Sequence, residues 1–193
     1  MLKKILATLV VVIVGSSFVV FGSFAIFTDT ENVPGNAFST GTLDISTNPT
    51  TALVTFSGMV PGDEVTNPIT VTNGGSLQLR YAVTSTTTED TLAAQLDLTI
   101  KTGVTDCTNA GFDVDGTRIY GPAGPGVLGS STGTNIIGDP AQGDDTDDRT
   151  LNSGADETLC FNVELPSSTD SSFDGLSTTA TLAFQAEQTL NNP

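Results

Sequence analysis

The sequence predicts an all-β protein: a jelly-roll or Greek-key β-sandwich of about seven to nine strands with at most one short helix, preceded by an N-terminal signal-peptide helix. Three observations carry this expectation. From residue 36 onward, short runs of alternating apolar and polar residues are separated by Gly, Pro, Asn, Asp and Ser, with Thr and Val prominent. Almost no amphipathic helical stretch is present to cover a sheet, so two sheets must cover each other. The length, 193 residues, suits one domain with a substantial core once the leader is set aside.

Each element has its own signal. Leu43 and Ile45 share a face of a run starting near Ala37, and Val54 and Phe56 mark the next strand. In "MVPGDE", Pro61 and Gly62 fit the centre of a type II turn, since the proline ring presets the first dihedral and Gly takes the positive one. "VTNPITVTNGGSLQLRYAV" reads as two strands, with Val65, Ile69 and Val71 on one and Leu77, Leu79, Tyr81 and Val83 on the other. Asn73-Gly74-Gly75 between them is a hairpin signal. Pro68 cannot donate to a ladder, which calls for an edge or a bulge at that point. A brief helical turn is expected at "TEDTLAAQL", capped by Thr88, followed by a strand carrying Leu96, Leu98 and Ile100. Residues 103–154 read as a long surface connection with one short strand around Arg118 to Tyr120. Alternation returns at Leu159, Phe161, Val163 and Leu165, and again at Ala180, Leu182, Phe184 and Ala186.

The first 25 residues have a basic start, Lys3 and Lys4, then a strongly apolar middle, and end on Ser23-Phe24-Ala25. Small residues stand at the minus three and minus one positions, which places signal-peptide cleavage between Ala25 and Ile26. No charge occurs between Lys4 and Asp29, so retention as a membrane-crossing helix is the competing reading. In either case the rest of the chain is exported, to the medium or the cell surface, and membrane contact precedes cleavage. Loss of Lys3 and Lys4 takes the net charge from −16 to −18. Such a surface repels nucleic acid and anionic lipid, and it favours solubility.

Chemistry is limited by what the chain lacks. It has no histidine, so neither a Ser-His-Asp nor a Cys-His arrangement can be assembled, and histidine-based zinc sites are out of reach. The acidic runs at 113–116 and 144–148 do not follow calcium-loop spacing and read as turn chemistry. No catalytic pair, metal site or cofactor site is named. Cys107 sits in a loop and Cys160 on the polar face of its strand, so a disulfide would tie that loop over the outer side of a sheet. Closing it would stabilise by about 4 kcal/mol in the chain-entropy model. A free, exposed, reactive thiol pair is the alternative.

Taken in order, the export segment, "IFTDTENVPGNAFSTGTLDIS", "FSGMVPGDEVTNPITVTNGGSLQLRYAV" and terminal "AFQAEQTLNNP" resemble the TasA/camelysin family of exported proteins. The likeness covers about residues 1–84 and the last strands, and 103–154 match nothing in it. The resemblance implies release by a signal peptidase, a jelly-roll sandwich, and assembly of copies head to tail into extracellular fibres of a biofilm matrix. It implies that residues 26–35 are an extension in which Ile26, Phe27, Thr28, Asp29, Thr30, Glu31, Asn32 and Val33 form a donor strand for the next subunit. Pro34-Gly35 would then be the hinge before the domain, 36–193. A monomeric surface adhesin is a second possible role, since long loops on a rigid sandwich often carry recognition. The camelysin name also belongs to proteins described as metalloproteases, a third reading that a chain without histidine, HExxH or spare cysteines disfavours, so no enzymatic activity is expected.

Overall fold

The computed structural model describes residues 39–50, 58–121 and 124–190. The leader, the cleavage point at Ala25 and Ile26, the donor segment 26–33 and the strand expected around Val54 and Phe56 lie outside them. The chain divides into two units, Met1–Ser39 and Thr40–Pro193, and the second holds all the strands of the described residues.

Among the described residues ten strands form: β1 (Ile45–Asn48), β2 (Glu64–Asn73), β3 (Leu79–Thr87), β4 (Asp97–Thr102), β5 (Thr117–Tyr120), β6 (Gly126–Val127), β7 (Thr134–Ile137), β8 (Arg149–Leu151), β9 (Asp156–Glu164) and β10 (Ala180–Gln188). They make two antiparallel sheets. One has the order β1-β2-β9-β4-β5, with β6 continuing the line of β5 along β4; the other has the order β10-β3-β7, with β8 beside β7 along β3. The only helix among the described residues is a single 3-10 turn, Ser171–Phe173. The protein is therefore an all-β sandwich, as the alternation predicts.

Alternation places the core between the sheets. Ile69 and Val71 of β2, Leu98 and Ile100 of β4, and Leu159, Phe161 and Val163 of β9 project from one layer, and Leu79, Tyr81 and Val83 of β3 meet them from the other. At one end a polar contact joins the layers: the Tyr81 hydroxyl donates to Glu157 Oε2 at 2.9 Å, and Arg149 closes a bidentate pair with the same carboxylate. Burial above all, reinforced by the Glu157 charge, pushes the Tyr81 phenol well above its ordinary pKa, so it stays a hydrogen-bond donor.

Several local expectations need correction. The turn at Pro61-Gly62 forms as expected, with φ of 98° at Gly62 and Asp63 N donating to Val60 O at 2.9 Å. The hairpin at Asn73-Gly74-Gly75 does not form, because β2 and β3 belong to different sheets and the segment carries the chain from one layer to the other. Asn73 explains the difference. Its buried amide donates to Leu77 O at 2.8 Å and Leu151 O at 3.1 Å and accepts from Gly75 N at 3.0 Å, which holds an arch rather than a tight turn. Gly75 is required there, since a Cβ would stand 2.4 Å from the Thr42 carbonyl oxygen. Asn73→Ala should lower stability by about 2–4 kcal/mol, because it strands one donor and two acceptors in or near the core; urea denaturation measures this.

Pro68 lies in an interior strand, yet β1 ends at the Asn48–Thr70 pair, so the outer side of β2 at Pro68 has no described strand to bond. At "TEDTLAAQL" the brief helical turn forms, with Ala94 N donating to Asp90 O and Leu96 N to Leu92 O, both at 3.1 Å. Its cap is Glu89, whose carboxylate accepts from the amides of Thr91, Leu92 and Ala93, while Thr88 accepts from Thr179 N instead. The stretch 103–154 is more than a surface connection. It supplies β5 to β8 and buries Leu128, Ile136, Ile137 and Leu151 in the core.

Candidate functional site

The two long sides of the sandwich differ. On one, β5 and β7 approach each other, and Ile119 and Tyr120 pack against the core. On the other, β1 and β10 are the outermost strands of their sheets, and no described strand bonds to the free edge of either. Register shows which side chains face inward there. Ile45 and Thr47 stand opposite Asn73 and Val71, and Leu182 and Phe184 opposite Ser85 and Val83; all four of those partners are fully buried. Ile45, Leu182 and Phe184 therefore point toward the core but are only half-buried, although Phe184 reaches the Tyr81 ring at 6.2 Å between centroids.

The result is a groove of about 400 Å³ lined by Ile45, Ser46, Thr47, Thr50, Leu182 and Phe184. None of these carries a charge, in a chain with 22 acidic residues. The groove is thus an uncharged, half-apolar slot between two sheet edges that no strand among the described residues pairs. An extended peptide laid in it can gain main-chain hydrogen bonds from an edge and bury side chains against both walls. Alternation in the sequence marks Leu182 and Phe184 as inward-facing, but not that their strand is an edge.

A second concavity, about 520 Å³, lies on the outer face of β3 and β10 beneath residues 138–148, with Arg80, Asp139, Gln142, Asp148 and Glu187 in its lining. There Arg80 pairs with Glu187 and Asp144, and Gly143 N donates to Glu187. The acidic runs act as turn residues. Asp148 accepts from Asp139 N at 3.0 Å, and Asp115 accepts from Thr105 N at 3.0 Å.

Cys107 and Cys160 form a disulfide, with Cα atoms 5.7 Å apart. It pins residues 103–116 over the outer face of β9 and β4. There Lys101 donates to Phe112 O at 2.6 Å and lies 4.3 Å from the Phe112 ring centroid, and Asn109 donates to Glu64 O at 2.8 Å. This cap buries Phe112 and Cys160 away from the main core.

The fold and groove define a class: an acidic, disulfide-bonded β-sandwich with one side open at both sheet edges among the described residues. The family model for camelysin metallo-endopeptidase, Peptidase M73, matches residues 1–108, more than half of the chain, and the chain belongs to that family. Among solved structures it is similar to Spo0M, the sporulation control protein from Bacillus subtilis, with 11% identity and a TM-score of 0.28 over 78% of this chain and 47% of that one. The chain thus spans less than half the length of the Spo0M chain. No curated protein matches it.

The family name implies a metal, and the described residues do not fit one. The chain has no histidine, both cysteines are in the disulfide, and no group of three His, Cys, Asp or Glu side chains among the described residues could hold an ion. No helix among the described residues is long and apolar enough to cross a membrane.

Proposed function

We propose that this chain is a secreted structural protein that assembles head to tail into extracellular fibres, each copy lending its leading peptide as a strand to the next. The observation that carries this reading is the uncharged groove between β1 and β10, where both sheets end on the same side. Residues 26–33, freed by cleavage after Ala25, are its occupant. Donor and acceptor are different surfaces, so each added copy presents a new groove and the contact does not close on itself. Membership of the camelysin family supports export of the chain, and within that family the resemblance to TasA supports the fibre role.

Full-length chain expressed in a secreting bacterial host tests this. Mass spectrometry of the released protein should give Ile26 as the first residue, and electron microscopy should show filaments. Removing residues 26–34 while keeping the leader and its cleavage point should leave a folded domain that stays monomeric. Filaments from that truncated protein would remove the donor role.

A proteolytic role is not part of this proposal, because the donor set offers no zinc site and no general base of the histidine type. The released protein should leave casein intact. Casein cleavage that a chelator abolishes would reverse that expectation.

A further inference from the structure

The groove also constrains which face of the incoming strand it can accept. Successive side chains of a strand point to opposite sides. In residues 26–33 one face therefore carries Ile26, Thr28, Thr30 and Asn32, and the other Phe27, Asp29, Glu31 and Val33. By apolar content alone the second face is the better candidate, since it holds Phe27 and Val33.

Charge decides otherwise. No Lys or Arg among the described residues lines the groove, so Asp29 and Glu31 turned inward would be desolvated against Leu182 and Phe184 without a counter-ion. Burying an unpaired carboxylate costs more than a half-buried Phe or Val returns. The first face is uncharged. Its Thr28, Thr30 and Asn32 meet a wall that offers the hydroxyls of Thr47 and Thr50 as partners, and Ile26 meets the apolar part. Length fits as well: eight extended residues span about 26 Å, within the roughly 30 Å of a nine-residue edge strand such as β10.

We propose that the leading peptide of a second copy enters the β1–β10 groove with Ile26, Thr28, Thr30 and Asn32 inward and Asp29 and Glu31 toward solvent. This rests on the assembly reading above and sharpens it into a register rule. It assigns subunit recognition to small hydroxyl side chains rather than to the aromatic residue of the segment.

Full-length chains carrying Thr28→Asp, Thr30→Asp, Asp29→Thr or Glu31→Thr, secreted and compared with the unaltered protein, test it by filament yield in electron microscopy. Thermal melting of each monomer serves as the folding control. Thr28→Asp and Thr30→Asp should each lower filament yield at least about tenfold, since each places an unpaired carboxylate in the groove. Asp29→Thr and Glu31→Thr should leave yield within about twofold, since both sites face water. The reverse pattern, equal loss from both pairs, or filaments unaffected by all four overturns the register. If the unaltered protein itself stays monomeric, the assembly reading falls and the register with it.

Discussion

Leu182→Glu should abolish filament formation and leave the sandwich folded. Leu182 sits on β10, half-exposed at the open side, so a glutamate there can reach water in the free monomer and costs the domain about 1 kcal/mol. In the assembled state the same carboxylate would be covered by the incoming strand. The cost is then several kcal/mol, a factor of more than about a thousand in subunit affinity. Thr181→Glu is the matched control, because Thr181 is exposed on the opposite face of the same strand. Sedimentation of the released proteins reads both. If Leu182→Glu polymerises like the control, the groove is not the acceptor.

Removing the disulfide has the largest expected effect on stability. In the chain-entropy model, a crosslink between residues separated by 53 positions stabilises by about 4 kcal/mol, a large share of the roughly 5–15 kcal/mol typical of a domain. A double variant, Cys107→Ser with Cys160→Ala, avoids a stray thiol. Chemical denaturation should show a loss of about 4 kcal/mol. Hydrogen exchange should quicken first over residues 103–116, because Lys101 and Asn109 are left to hold the cap without its covalent anchor. The cap lies over the outer face of β9 and β4, away from the groove. Filaments should therefore still form at temperatures where the variant is folded.

Much of the fold is legible because apolar residues alternate within β2, β3, β9 and β10, strands of nine or ten residues. The same alternation puts Cys160 opposite in sense to Leu159 and Phe161, and hence on the outer face of its sheet. Strands β6, β7 and β8 are not legible, since two to four residues with one or two apolar side chains carry no readable period. The Asn73-Gly74-Gly75 segment misleads for another reason. A sharp change of direction is encoded there, but whether the chain returns in its own sheet or crosses to the other depends on what Asn73 bonds, and one partner, Leu151, lies 78 residues away.

The groove is legible only in part. Alternation identifies the inward faces of β1 and β10, but which strands end a sheet is a property of the whole topology. Ile45 and Leu182 differ from Val71 and Leu159 in neighbours, not in residue type. No local pattern could reveal that both edges fall on one side. The donor strand comes from the resemblance alone; the geometry adds an uncharged groove between two sheet edges.

The most direct measurement is a cryo-electron microscopy map of filaments formed by the released protein. It should show residues 26–33 of one copy as an extended strand between Ile45 and the Leu182–Phe184 pair of its neighbour. A map with that groove vacant, or filled by a segment of the same chain, would contradict the account.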